Sequence, residues 1–509
     1  MNQSQAVRKH EPIKRCRLVL LTTRCTDMHV RDCELALYHL NPLSTLLLDN
    51  INKISDEQIA GLRAAFEADP KNLLAQNAAT KYDPLEFCIP HRAVGQNLHA
   101  YTHKVAEAKP MTNQRSSGRC WIFACLNTMR IPFMKKLNIE EFEFSQNHLF
   151  FWDKIERSNY FLTSMVEIFK QEEPVEGRLV SFMLTCPTND GGQWDMLVNL
   201  VNKYGVIPKK CFPEAHSSGA SRRLNVTLTT KLRDYAKELR DMVEKKSSTS
   251  DIEARIKEQM AEIFRVTSIC LGIPPTTFTW DYHDKTKTFQ SVGPITPKDF
   301  YHQHVKPVFN MDEKVCIVND PRPKNKYEEM YTVQYLGNMV GGQKTLYNNQ
   351  PIDILKSTAL KSIQNGEPVW FGCDVGKFST RKTGILDTKS LDYELVFGIQ
   401  SLQLDKAERL LFGESLMTHA MVLTGVGTDG AENETKTTKW RVENSWGEDT
   451  GEKGYLVMSD EWFSEFVFEV VVDKAYVPAE VLAVQTKEPI VLPPWDPMGS
   501  LAHPVSAKL

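Results

Sequence analysis

The sequence predicts an α+β fold, because segments with helical periodicity come first and segments with strand character follow. Two apolar stripes at helical spacing lie within residues 222–271, each with a charged opposite face. Residues 369–373 form a short apolar run typical of a buried strand, and residues 419–472 are rich in strand and hairpin signals. Helices and antiparallel strands are thus segregated along the chain, as in α+β proteins.

Composition and charge narrow the class of protein. The 509 residues carry a formal net charge of −3 and are 41% hydrophobic, so the chain can bury a large core and has no general attraction for nucleic acid. No apolar run approaches the roughly 18 to 20 residues of a membrane span, so we expect no membrane partner. The eleven cysteines contain no C-x-x-C pair. We therefore expect free thiols in a cytoplasmic protein, with no metal and no cofactor.

The first 53 residues are predicted to be a loosely ordered extension. Residues 1–33 contain seven basic and three acidic side chains, and the acidic ones disfavour an organelle-targeting segment. From Ile54 the pattern becomes regular, and residues 55–58 predict the start of a helix.

Cys120 is predicted to lie in the first turn of a helix. Small and polar residues at 116–118 precede an apolar run that continues to Arg130, and Pro132 is expected to end or kink the helix. Unpaired N–H groups and the helix dipole favour a thiolate at such a position. Gln114, six positions earlier, can offer a side-chain amide to an oxyanion. A buried cysteine such as Cys125 is the commoner case, so Cys120 needs partners before it counts as a nucleophile.

Turn signals and periodicity predict the elements that follow. Residues 187–192 form a loop signal, with Asn189, Asp190, Gly191 and Gly192 at its end. The later predicted elements are a helix at 193–204 capped by Gly205, two helices within 222–271 with a break at 245–250 and a capping box at Ser250, strands at 315–318 and 331–336, and a helix at 352–364.

His419 and Asn444 are predicted to lie side by side. His419 begins a strand, and a polar loop leads to a second segment that ends at Asn444, so the two segments suit an antiparallel pair. A cysteine nucleophile needs a base, and that base needs a group to hold its ring. Asn444 can hold the ring through its side-chain carbonyl, and Trp446 can shield that hydrogen bond from water.

These residues resemble the papain-like cysteine peptidases. The resemblance rests on residues 114–121 around Cys120, on Thr418-His419-Ala420, and on residues 443–447 around Asn444. Residues 189–192 stand where those enzymes have the glycine-rich edge of the substrate cleft. The resemblance implies a two-lobed core, with a helical lobe at 54–220 and a β-rich lobe at 369–490.

Two departures point to the cytosolic aminopeptidase branch of that family. Ser117 and Asn189 stand where the secreted enzymes carry a disulfide. His419 follows Cys120 by 299 positions, against the roughly 130 to 150 usual for papain. The excess is a helical and mixed insert at 221–368, which in this branch builds a ring-shaped homohexamer.

The resemblance implies a cysteine aminopeptidase that acts on peptides with a free N-terminus. Cys120 would attack the carbonyl, Gln114 and the Cys120 N–H would stabilise the oxyanion, His419 would move the proton, and Asn444 would orient His419. Hydrolysis of the bleomycin amide and of homocysteine thiolactone is implied by the same chemistry. The alternatives are a papain-like endopeptidase and a ring that acts mainly in nucleic-acid binding, which the net acidity disfavours.

The C-terminal arm, residues 491–509, is expected in or near the cleft. In the family its terminal carboxylate meets the amine of the substrate. Here seven residues follow Ala502, and they would either plug the cleft or leave it open to internal peptide bonds. The last three residues approximate a peroxisomal address, which burial inside a ring disfavours.

Overall fold

A computed structural model describes residues 53–96, 98–429 and 436–502. Residues 1–52, all but the last residue of the extension predicted at 1–53, and the last seven residues lie outside the described residues. The helices are α1 (Asp56–Ala68), α2 (Pro70–Ala79), α3 (Pro84–Cys88), α4 (His91–Gln96), α5 (Cys120–Leu137), α6 (Gln146–Lys170), α7 (Arg178–Thr185), α8 (Trp194–Tyr204), α9 (His216–Gly219), α10 (Arg222–Glu244), α11 (Thr249–Leu271), α12 (Pro297–Phe300), α13 (Ile352–Gln364), α14 (Tyr393–Phe397), α15 (Lys406–Leu411), α16 (Asp460–Phe466) and α17 (Ala479–Ala483).

Among the described residues there are fourteen strands, and twelve of them form one mixed sheet. The strands are β1 (His103–Lys104), β2 (Phe278–His283), β3 (Phe289–Ile295), β4 (Lys314–Val318), β5 (Glu329–Val333), β6 (Tyr347–Asn349), β7 (Val369–Cys373), β8 (Ser379–Thr380), β9 (Ile385–Leu386), β10 (His419–Asp429), β11 (Lys436–Glu443), β12 (Tyr455–Ser459), β13 (Val467–Asp473) and β14 (Ile490–Leu492). The sheet order is β14-β5-β6-β4-β13-β7-β10-β11-β12-β9-β8, β1 pairs with β10, and β2 and β3 form a separate hairpin. Helices and a largely antiparallel sheet confirm the predicted α+β class.

The sheet crosses the boundary that the sequence suggested at residue 368. Strand β4 pairs with β13 in antiparallel fashion, so strands from the region assigned to the insert continue the sheet that carries β7 and β10. The described residues divide into two compact units, one that ends at residue 74 and one that begins at residue 75. The first contains α1, whose N-cap Ser55 forms the predicted capping box with Gln58. The finer domain boundaries stay a prediction.

Helix α5 differs from its prediction at Pro132. The helix contains Pro132 and continues to Leu137, although proline removes a hydrogen bond inside a helix. Phe133 and Met134, which follow the proline, are both buried. Burial of these side chains outweighs the local cost of the proline, so the expected end of the helix is wrong.

The helical pair at 222–271 is confirmed, but its second helix starts earlier than predicted. The N-cap is Ser248, whose hydroxyl accepts a hydrogen bond from the N–H of Asp251. Ser248 has an acidic residue three positions later, as good a cap signal as the predicted Ser250. The strand predicted at 331–336 is observed two residues earlier, as β5.

The interior of the sheet contains a glutamate whose titration affects stability. Glu469 on β13 is fully buried, and the thiol of Cys316 donates to its Oε1 at 2.9 Å. Burial raises the pKa of Glu469 from 4.5 to about 8, the Cys316 bond opposes the rise, and Asp195 adds to it.

No helix of the described residues is long and apolar enough to cross a membrane.

Glu469→Gln is expected to become more stable relative to wild type as the pH rises from 5 to 8. The folded pKa of Glu469 is above the unfolded value, so the folded state holds the proton longer and stability falls through this interval, by about 1.4 kcal/mol per pH unit. Urea unfolding midpoints of both proteins at pH 5, 6.5 and 8 measure the difference in stability between the variant and wild type. Glu253→Gln, at an exposed position on α11, is the control. A stability difference between Glu469→Gln and wild type that stays constant with pH contradicts the prediction.

Candidate active site

Cys120 is the first residue of α5, as predicted, and Arg119 is the N-cap. The Cys120 side chain is 4% exposed. The N–H groups of Cys120 and Trp121 face its sulfur, and the N–H of Ala420, the residue after His419, approaches from β10. The thiol therefore lies between the N-terminus of α5 and the start of β10.

Burial sets the protonation state of the thiol and the imidazole. It raises the pKa of Cys120 to about 11, although the surrounding N–H groups oppose the rise. The predicted shift toward thiolate is wrong for this structure, because loss of hydration outweighs the helix terminus. Burial also lowers the pKa of His419 to about 4, although the hydrogen bond that the imidazole donates to Asn444 opposes this shift. A neutral imidazole can take the proton of a neutral thiol as the sulfur attacks.

The predicted contact between His419 and Asn444 is confirmed. Strands β10 and β11 are antiparallel, with Val422 opposite Glu443, and His419 Nε2 lies 2.9 Å from Asn444 Oδ1. The N–H of Ser445 donates to the same oxygen at 2.8 Å, which fixes it as the acceptor. Nε2 must then carry a proton, and Nδ1 is the nitrogen available to the thiol.

Trp446 packs on the imidazole. Its ring centroid lies 5.0 Å from that of His419, with 36° between the planes. Trp446 also pairs with Asn113 in an antiparallel bridge, so the strand segment after Asn444 is joined to the segment that leads to Cys120. The position of Trp446 matches the predicted shield over the imidazole.

Gln114 is held by the segment that follows Asn444. Its backbone N–H donates to Ser445 O at 2.8 Å, and the Ser445 hydroxyl donates to Gln114 Oε1 at 2.6 Å. Gln114 Nε2 donates to Ser117 O at 2.6 Å. An amide nitrogen has two N–H donors, so one remains for an oxyanion above Cys120.

Asn189 and Gly191 contact the C-terminal arm. Asn189 Nδ2 donates to Ala502 O at 2.6 Å. A Cβ at Gly191 would stand 2.0 Å from Leu501 O, so only glycine allows the arm to approach this closely. The glycine-rich edge predicted for the cleft is therefore where residues 501 and 502 lie.

Asp190 faces inward, away from the cleft edge. Its carboxylate accepts from the N–H of Gly118 at 3.1 Å and pairs with Lys154 at 2.9 Å. Its carbonyl accepts from Trp121 Nε1 at 2.6 Å. A Cβ at Gly192 would lie 2.7 Å from the ring of Trp121. Asp190 and Gly192, both predicted to line the cleft, thus position residues 118–121, the nucleophile loop that contains Cys120.

The described part of the arm is held along its length. Arg322 donates two hydrogen bonds to the carboxylate of Asp496, at 3.1 and 2.7 Å. The Tyr347 hydroxyl donates to Met498 O at 3.0 Å. These buried contacts fix the direction in which the arm reaches the cleft.

Two buried ion pairs beside the site were missed by sequence reasoning. Arg119 is fully buried and bonds both oxygens of Glu214, at 3.1 and 2.7 Å. Arg130 on α5 pairs with Glu443, the residue before Asn444, at 2.7 Å. The sequence offered one signal for these pairs, since both arginines lie in or next to an apolar segment. A charged side chain in such a segment is rarely buried without a partner. Their partners are too distant in sequence to be read from it.

The described residues contain neither a candidate metal site nor a disulfide bond. They contain no cluster of three histidine, cysteine or acidic side chains placed to hold a metal ion. The cysteines among them, including Cys120 and Cys125, are all free.

The fold and the site together define a cysteine peptidase of the papain-like type. The model of the Peptidase C1-like family matches residues 53–499, and the chain belongs to that family. A buried cysteine at a helix N-terminus and a histidine held by an asparagine are the features of the site that agree with this class.

Several relatives cover most of the chain. Bleomycin hydrolase of Homo sapiens is 58% identical over 451 residues, 88% of this chain and 99% of the relative. Aminopeptidase C of Listeria monocytogenes is 45% identical, over 79% of this chain and 88% of the relative. The crystal structure of PepW from Lactobacillus rhamnosis superposes with a TM-score of 0.83 at 42% identity, over 88% of this chain and 99% of that one.

Proposed function

We propose that the chain is a cysteine aminopeptidase that releases N-terminal residues from peptides through an acyl-enzyme. The observation that carries the proposal is the C-terminal arm in the cleft, where Asn189 holds Ala502. His419 must return its proton to the leaving amine, so the leaving group lies on the His419 side. The arm occupies the Asn189 side, where residues before the scissile bond would extend. Only a short N-terminal part of a peptide fits there.

The site residues carry the reaction in two stages. His419 takes the thiol proton as Cys120 Sγ attacks the carbonyl carbon, and Asn444 keeps the imidazole in the required tautomer. The Cys120 N–H and the second N–H of Gln114 stabilise the oxyanion. His419 then protonates the leaving amine. A water molecule, deprotonated by His419, releases the acyl group and restores the thiol.

The finer parts of the proposal come from the family resemblance and the relatives. Bleomycin hydrolases at 58% identity support hydrolysis of the bleomycin amide. The same acyl transfer would open homocysteine thiolactone. A cytoplasmic homohexamer, with the insert at 221–368 in the ring contacts, completes the proposal.

A chain that ends at Ala502 is expected to hydrolyse an unblocked aminoacyl amide faster than the full chain. Its terminal carboxylate would lie beside Asn189 and pair with the ammonium group of the substrate. A charge-assisted bond of about 1.5–3 kcal/mol corresponds to an increase of roughly 10- to 100-fold in kcat/KM.

The matched control is a chain that ends at Ser506, which loses residues without bringing the carboxylate to Ala502. An N-acetylated form of the same substrate should stay uncleaved by every chain. Equal rates for the chain ending at Ala502 and the full chain on the unblocked substrate would contradict the role of the carboxylate.

A papain-like endopeptidase is the second candidate. It is favoured by one observation: the group that Asn189 contacts is a peptide carbonyl, since seven residues follow Ala502. A peptide carbonyl cannot neutralise an ammonium group. Cleavage of N-acetylated peptides by the full chain at rates similar to free peptides would establish this candidate over the first.

A further inference from the structure

The cleft has an unpaired cation on the leaving-group side. Arg381 lies in the turn between β8 and β9, is exposed, and places its guanidinium 4.9 Å from the ring centroid of Trp446. Trp446 in turn packs on His419. The cation and the imidazole thus both contact the same indole ring.

We propose that Arg381 is a specificity residue that binds the terminal carboxylate of a short peptide on the leaving-group side. The assignment rests on the proposed function, because it needs a substrate whose leaving group passes His419. The arm restricts the amine end of the peptide at Asn189. Arg381 would select the opposite end, so the two features together favour short peptides.

The neighbouring charges leave Arg381 available. Lys382 pairs with Glu86 at 2.7 Å, whereas Arg381 has no hydrogen bond or ion pair with any residue that the structure describes. Glu448 and Asp449 lie in the adjacent loop, are exposed, and form no ion pair with Arg381 among the same residues. A guanidinium without a carboxylate partner can form two parallel hydrogen bonds with one from the substrate.

The surrounding structure orders this cation. The turn that carries Arg381 packs on the loop after Trp446, where the N–H of Gly451 donates to Lys382 O at 3.3 Å. The cation–π contact with Trp446 restricts the long side chain before the substrate arrives, which reduces the entropy lost on binding.

The spacing predicts the length of the substrate. The guanidinium lies 4.9 Å from the centroid of the Trp446 ring, which itself lies 5.0 Å from that of the imidazole, and one extended residue spans about 3.3–3.6 Å. A carboxylate two residues beyond the scissile bond reaches that region. A tripeptide, which loses its first residue and leaves a dipeptide, is therefore the appropriate probe.

The test compares a tripeptide that has a free C-terminal carboxylate with the same tripeptide as its C-terminal amide. Wild type is expected to favour the carboxylate form by about tenfold in kcat/KM, mainly through KM. In Arg381→Gln the preference should fall to near one. Arg381→Lys should keep part of the preference, and Lys382→Gln should keep all of it.

Two outcomes overturn the assignment: an unchanged preference in Arg381→Gln, or an equal fall in rate on both tripeptides, which would mean that Arg381 only supports Trp446. Failure of the proposed function is seen separately. N-acetylated tripeptides cleaved as fast as free ones would exclude an aminopeptidase, yet the comparison of carboxylate with amide would still decide the role of Arg381.

Discussion

Cys120→Ala is expected to lower kcat/KM for an unblocked aminoacyl amide by at least about 10⁴-fold, because no other group can form the acyl-enzyme. The thiol is buried between the N-terminus of α5 and the start of β10, so its loss removes little volume and the fold should persist. Steady-state rates with the purified variant, and its thermal unfolding midpoint, measure both expectations.

Cys125→Ala is the matched control for that variant. Cys125 is also free and buried and lies on the same helix, five positions later. Burial alone raises the pKa of Cys125, and no histidine accompanies it in the site. Its replacement should leave the rate within about threefold, and alkylation by iodoacetamide is expected to inactivate Cys125→Ala and wild type alike. Activity retained in Cys120→Ala would overturn the assignment of the nucleophile.

The positions of Cys120, His419 and Asn444 could be predicted because their signals are local. Cys120 stands at a helix start that small residues and an apolar run define, and His419 and Asn444 stand on two strand segments that a polar loop joins, which suits an antiparallel pair. Only the register of β10 with β11 was needed to bring the last two together, and the structure confirms it. The motifs taken together indicated the resemblance to papain-like peptidases, which no single residue could indicate.

The electrostatics of the site could not be predicted from the same signals. A helix terminus argues for a thiolate, but burial reverses this argument, and the neighbours of the buried thiol include Ala420 on β10 and Asp190, which are distant in sequence. The inward role of Asp190 has the same cause, since its partners lie on two distant segments, Lys154 on α6 and Ser221 and Asn225 at the start of α10. The extent of the sheet was also missed, because β4 pairs with β13 across more than 150 positions.

Asp190→Asn is expected to destabilise the protein by about 3–5 kcal/mol, because it leaves the buried ammonium group of Lys154 without its counter-ion. Burial alone would raise the pKa of Asp190, but Lys154 and the hydrogen bonds from Ser221 and Asn225 hold it well below its usual range. The charge is therefore present at every pH above strong acid, and its contribution to stability is lost only as the pH falls through that lowered pKa. Urea unfolding at fixed protein concentration measures the change.

The double variant Lys154→Met with Asp190→Asn separates the charge from the loop it supports. Removing both charges should recover part of the stability, because no buried ion is then left unpaired. The rate should stay low, since a single amide oxygen cannot replace the carboxylate that accepts from Gly118 and also bonds Asn225. Asp234→Asn, in an exposed pair with Lys231, is the matched control and should change stability by less than about 0.5 kcal/mol. Full recovery of both stability and rate in the double variant would show that Asp190 neutralises Lys154 and does not position the nucleophile loop.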